Sequence, residues 1–254
     1  AENIPNAIGD ACGFQFLGEG TPKEQLQSIL KDRQTLLVID NYEHLSDGFA
    51  LVTDILQSAP TVEIIATSRQ QLSQAGETLF YLSGMDFPDF ETPEDALDYA
   101  AVKLFMNSAK RANPSFELRE DNLDYVARIC KLVQGMPLGI VLAASWLTLL
   151  DVSEIANEIQ GGLDFLETDE TTLPERQRNI RAVMDYSWGQ MTEAEQQVFI
   201  KLSVFQGGFT RDAAQAVAGA NLRILMSLTK KSLIRRDADS GRYQIHELLR
   251  QFAE

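Results

Sequence analysis

Thr35-Leu36-Leu37-Val38-Ile39-Asp40 is an unbroken apolar run closed by a carboxylate. A strand covered by helices on both faces reads this way, because neither face calls for polar side chains. A second such run, Val62-Glu63-Ile64-Ile65-Ala66-Thr67, follows a helical stretch near residues 47–58. Strand, helix and strand at this spacing favour a parallel crossover. Upstream, Thr21-Pro22-Lys23-Glu24 pairs a capping box with proline at the first helical position, which predicts a helix through Leu30. Thr78-Leu79-Phe80-Tyr81-Leu82 is a third strand candidate. The first third of the chain therefore reads as α/β.

Beyond it the pattern turns helical. Thr92-Pro93-Glu94-Asp95 opens a helix whose Leu97, Ala100, Ala101, Leu104, Phe105 and Ser108 share one face. Further helices fit 120–133, 137–149 and 153–160, and the acidic, Thr-rich stretch Gly161–Pro174 reads as a linker. Helices then fit 176–190, 193–203, 210–218 and 221–231. Two short β-runs, Ser232–Arg236 and Arg242–His246, flank the turn-rich Asp237-Ala238-Asp239-Ser240-Gly241. Helices followed by such a hairpin make a winged-helix layout.

Composition bounds the function. The chain has 254 residues, 44% of them apolar, and a net charge of −15. That charge argues against non-specific nucleic-acid binding by the whole chain. It is uneven: residues 175–254 carry +3 and residues 1–174 carry −18. The shift suggests a boundary near 170–175. No run approaches the roughly 18 apolar residues that cross a bilayer, and Ala1–Pro5 shows no signal-peptide pattern. Cys12 and Cys130 fit no metal or redox spacing and read as buried free thiols. A cytoplasmic protein with no membrane partner is expected.

Individual residues point to chemistry only weakly. Asp40, at the carboxyl end of an apolar strand, stands where open α/β sheets bind ligands and could hold Mg²⁺ against phosphates; an Asp capping the next turn looks the same. Glu43 could orient water, although Glu43 and His44 equally suit a solvated loop. Arg69, after Thr67-Ser68, could contact a terminal phosphate or be a surface arginine. In Gly135-Met136-Pro137-Leu138, Gly suits the left-handed C′ position of one helix and Pro137 the first turn of the next. His246 lies where the hairpin passes into a helix, as an anion contact or a packing residue.

Their order carries more. Leu36–Leu45 resembles the Walker B segment of bacterial STAND ATPases, relatives of the NB-ARC ATPases. Ile65–Arg69 resembles their sensor-1 segment, and Gly135–Leu138 their GxP motif. Ser187-Trp188 and Leu202–Thr210 resemble their winged-helix domain, and Ile245-His246-Glu247 is similar to their Met-His-Asp motif. The resemblance implies α/β plus all-α architecture: a partial nucleotide-binding domain (1–92) with part of a parallel P-loop NTPase sheet, a helical domain and linker (93–173), and a winged-helix domain (174–254). It implies ATP or ADP with Mg²⁺ as ligands of the parent protein. Asp40 would hold the metal, Arg69 would sense the γ-phosphate, Pro137 would pack near the adenine, and His246 would hydrogen-bond the β-phosphate. Nucleotide identity would then bias the arrangement of the domains. The implied partners are other domains of the same regulator, with self-association on activation, and nucleic acid only through those other domains.

Two departures qualify this. No G-x-x-x-x-G-K-[ST] occurs, Gly18-Glu19-Gly20-Thr21-Pro22-Lys23 having the wrong spacing. The expectation is an interior fragment without its phosphate loop, binding no nucleotide by itself, with an incomplete sheet whose 78–82 segment is displaced or re-paired. Asn41 also stands where the family often has a second acid, and an amide is no general base. Hydrolysis in the parent would be slow, or would use Glu43. The competing readings are a DNA-binding regulator acting through the basic 175–254 region, and a pseudo-ATPase scaffold.

Overall fold

The computed structural model describes residues 3–16, 20–43, 49–88, 93–162, 165–168 and 178–253. The chain divides into two compact units, Ala1–Phe80 and Tyr81–Glu254.

The first unit is a two-stranded parallel sheet with helices on one side. Helix α1 (Ile4–Ala11), which the sequence reading did not anticipate, precedes α2 (Pro22–Leu30), β1 (Thr35–Ile39), α3 (Phe49–Ser58) and β2 (Val62–Ala66). The capping box at α2 forms as expected: Glu24 N donates to Thr21 Oγ1 at 3.3 Å and Thr21 N to Glu24 Oε2 at 2.8 Å. The strands align Thr35 with Val62 and Ile39 with Ala66. Leu37 and Val62 bury against Leu26, Leu30, Leu51 and Ile55 from the helices.

The other face corrects the expectation of a strand buried on both sides. Side chains alternate along a strand, so Leu36, Val38 and Ile65 emerge opposite Leu37 and Ile64, and they are 54%, 67% and 55% exposed. Residues 78–82 form no strand: Phe80 and Leu82 are 87% and 85% exposed. An apolar run becomes a strand only where it meets an edge to pair with, and among the described residues the sheet holds β1 and β2 alone. An incomplete sheet with the 78–82 segment displaced from it is the expectation stated above; the strand that the apolar pattern of Thr78–Leu82 suggests does not form.

The second unit begins with a 3₁₀ turn (Pro93–Asp98), and α4 (Ala100–Ala112) starts only after it, so Leu97 leaves the predicted face and is 58% exposed. Thr92, the expected cap, lies outside the described residues. Helices α5 (Glu120–Leu132), α6 (Pro137–Ser145) and α7 (Val152–Gly161) complete a core built on Phe105, Ile129, Ile140 and Ile155. Then come α8 (Ile180–Gly189), α9 (Glu193–Leu202), α10 (Arg211–Ala218) and α11 (Leu222–Lys230), the antiparallel pair β3 (Ile234–Arg236) and β4 (Tyr243–Ile245), and α12 (Glu247–Ala253). A second core gathers Phe199, Leu202, Phe209, Leu225 and Leu228. Seven-residue α12 serves both cores, with Leu248 in the first and Ala253 in the second. Cys12 and Cys130 are free thiols, Cys130 fully buried. Among the described residues no helix is long and apolar enough to cross a membrane.

Candidate functional site

In the first unit the candidate residues gather at the carboxyl ends of β1 and β2. The ladder continues one step past the strands: Thr67 N donates to Ile39 O and Tyr42 N to Thr67 O, each at 2.9 Å. Parallel pairing thereby brings Asp40 and Thr67 side by side. Thr67 Oγ1 donates to Asp40 Oδ1 at 2.5 Å and accepts from Asn41 N at 2.9 Å, while Asn41 Nδ2 donates to Asp40 Oδ2 at 3.1 Å. Asn41 is left-handed at φ +54°, a conformation asparagine tolerates better than most residues. Its work here is to turn the chain and to orient the Asp40 carboxylate, which remains exposed.

The turn carries Tyr42 and Glu43 inward. Tyr42 is fully buried, and Glu43 is buried rather than in a solvated loop. Arg69 Nε lies 3.7 Å from Glu43 Oε1, with side-chain exposures of 36% and 3%. Among the described residues neither Glu43 oxygen has a hydrogen-bond partner. His44 falls outside the described residues.

Pro137 and His246 lie in the second unit. Pro137 is at N1 of α6, as its sequence setting predicts. The left-handed C′ position of α5, however, is held by Gln134 (φ +48°), with Gly135 (φ +67°) one residue further on. Gln134 N donates to Lys131 O and Gly135 N to Cys130 O, both at 2.9 Å, the bond pair of a Schellman ending. Glycine is displaced to the second position because the backbone of Gly84-Met85 crosses there: Met85 N donates to Gly135 O at 2.8 Å. A Cβ on Gly135 would come within 2.0 Å of Met85 O, and one on Gly84 within 2.0 Å of Gln134 O. His246 Nδ1 accepts from Leu248 N at 3.2 Å, so the imidazole caps α12. Burial pushes its pKa down to about 4 against the opposing pull of Glu247.

The donors at Asp40 suit a hard cation: one exposed carboxylate with a threonine hydroxyl beside it. Mg²⁺ is commonly held by one or two carboxylates, the remaining positions going to waters and phosphate. Among the described residues no group of three or more His, Cys, Asp or Glu side chains could hold a metal. Sequence alone gives Thr67 no role. Its proximity to Asp40 follows from the register alone.

By sequence, the chain is similar to longer mycobacterial proteins. "Putative HTH-type transcriptional regulator Rv0890c" of Mycobacterium tuberculosis is 33% identical over 240 residues, 91% of this chain and 26% of that protein. The chain thus spans about a quarter of the length of such curated relatives. "Disease resistance protein TAO1" of Arabidopsis thaliana is 24% identical over 233 residues, covering 89% of this chain and 17% of that protein. A crystal structure from Pyrococcus horikoshii, of a Signal Transduction ATPase with Numerous Domains with a tetratricopeptide repeat sensor, aligns over 94% of this chain and 30% of its own at 19% identity. Its TM-score is 0.31, too low to argue from. No protein-family model matches the chain.

Proposed function

We propose that this chain is a switch module of a larger, nucleotide-controlled regulator of the STAND class. The observation that carries the reading is the Asp40–Thr67 hydrogen bond beside the Arg69–Glu43 ion pair, at the carboxyl ends of two parallel strands. This is where a parallel sheet presents polar side chains to a ligand. A carboxylate for a cation and a guanidinium for an oxyanion are the two complements a Mg–nucleotide requires. Asp40 and the Thr67 hydroxyl would hold Mg²⁺, which when bound neutralises phosphate charge. Arg69 would read the terminal phosphate. The base contact implied for Pro137 and the β-phosphate contact implied for His246 stay proposals for the parent protein; within the second unit His246 caps α12 through Nδ1 and is neutral near pH 7. The similarity to long regulators and to a plant resistance protein supports a regulatory context.

The sequence supplies no phosphate loop of backbone N–H groups, so the isolated chain should bind Mg–ATP no more tightly than about 1 mM, or about −4 kcal/mol. Backbone NMR at millimolar Mg–ATP should move the amides of Asp40, Asn41, Thr67 and Arg69, and Asp40→Asn should abolish the response. Micromolar affinity by calorimetry, or shifts confined to other surfaces, would sink the proposal.

A second reading, DNA binding through the last helices and hairpin, is favoured by the names of the mycobacterial relatives and by exposed Arg223, Arg235 and Arg236. Against it, the exposed face of α11 presents Leu222 and Met226, 53% and 54% exposed, and neither can hydrogen-bond a base edge. Steeply salt-dependent DNA binding by the chain, lost in an Arg235→Gln, Arg236→Gln variant, would support it.

A further inference from the structure

We infer that Glu43 is a positioning residue: a buried counter-ion that holds the Arg69 guanidinium, so that a phosphate arriving beside Asp40 must compete with Glu43 for it. The inference rests on the phosphate-site reading above.

The argument starts from an imbalance. Glu43 has a side chain only 3% exposed, and neither oxygen has a hydrogen-bond partner among the described residues. A carboxylate so placed is costly unless a charge offsets it. Arg69 is that charge, and the contact is loose. At 3.7 Å from Nε to Oε1 it exceeds hydrogen-bonding distance and lacks the two-pronged fork of a strong arginine–carboxylate pair. The Arg69 side chain is 36% exposed, and Asp40, at the end of the neighbouring strand, is exposed as well.

The backbone holds this arrangement on the Tyr42 side. Tyr42 is fully buried and its N–H is bonded to Thr67 O, which ties the Glu43 turn to the strand end that carries Arg69. The inward turn thus holds the Glu43 side chain back from following Arg69 outward. When a phosphate draws the guanidinium away, the carboxylate stays behind, buried and less well compensated. Glu43 thus opposes ligand binding, and only a ligand that engages Arg69 strongly overcomes the opposition.

Two measurements on the whole chain test this. In hydrogen exchange of the peptides covering 35–43 and 62–69, Arg69→Gln strands the carboxylate and should speed exchange at least about tenfold, or about 1.4 kcal/mol. Glu43→Gln should change it less, and the double variant should return most of the way to wild type. Independent, additive effects would overturn the counter-ion role. In the second, Mg²⁺ with inorganic tripolyphosphate is titrated while the Arg69 Nε–H resonance is followed. Glu43→Gln should tighten the apparent Kd about tenfold, and the gain should vanish when Arg69→Gln is followed instead by backbone amides of Asp40 and Thr67. An equal gain without Arg69 would mean simple repulsion by Glu43 and would overturn the competition. If the exchange cycle holds but no variant responds to tripolyphosphate, the phosphate-site reading falls and the competition with it, while the ion pair alone survives.

Discussion

Replacing Gly135 with alanine tests the crossing of Gly84-Met85 over the end of α5, and four glycines allow the cost to be divided. Gly161 closes α7, with open space around an added Cβ; Gly161→Ala should be neutral or stabilising by about 0.5 kcal/mol. Gly219 is left-handed at φ +67° with nothing near an added Cβ, so Gly219→Ala isolates backbone strain, about 1 kcal/mol. Gly84 has no left-handed φ but would place a Cβ 2.0 Å from Gln134 O. Its variant must push two backbones apart and lose the Met85–Gly135 hydrogen bond, for about 2–4 kcal/mol. Gly135→Ala combines both terms and should cost about 3–5 kcal/mol. Urea unfolding followed by fluorescence suits the comparison, because both tryptophans lie in the second unit: Trp146 stacks on Phe165 at 4.6 Å, and Trp188 meets Phe252 edge-on at 5.7 Å. If Gly135→Ala costs no more than Gly219→Ala, the backbone crossing does not constrain the position and the reasoning fails.

Glu195 should contribute pH-dependent stability. Burial raises its pKa, but hydrogen bonds from Lys231, Ser227 and Thr192 outweigh this and hold it at about 2. The contribution, at most about 3 kcal/mol, is complete above the ordinary glutamate value near pH 4.5 and lost as pH falls through about 2; urea midpoints of Glu195→Gln should lack that acid slope. His246 acts in a different window. With its folded pKa pushed down to about 4 from 6.5, the unfolded chain binds the extra proton, so stability falls as pH drops from about 6.5 toward 4. His246→Asn, which can still cap α12, should flatten that segment of the curve. On the open sheet face, Leu36→Thr with Val38→Thr should reduce concentration-dependent self-association in sedimentation velocity. The pair should cost the first unit less than about 1 kcal/mol, since both side chains are already more than half exposed.

Much of the fold was legible because local signals agreed. The capping box at Thr21 marks a helix start that forms as read, and the parallel pairing of β1 with β2 follows from their spacing. What escaped was set by distant chain. Nothing around Gly84 announces that Gln134-Gly135 will lie against it. At the candidate site, Asp40 and Arg69 were legible as strand-end residues. The burial of Glu43 was not, because it depends on Asn41 taking a left-handed conformation and on Tyr42 sinking into the unit. A run of polar letters after a strand gives no sign of which one will turn inward.

Helix α12 gives Leu248 to one core and Ala253 to the other, while Arg250 grips Glu247 at 2.8 and 2.9 Å and reaches Ser203 O at 3.3 Å. Seven residues spread over two cores leave little slack. Dislodging the helix would expose both interiors at once, so the two should loosen as a single cooperative step, the later helices finding no separate melting point of their own. His246, at the threshold of that helix, thus occupies a place from which a local event would be felt across the second unit.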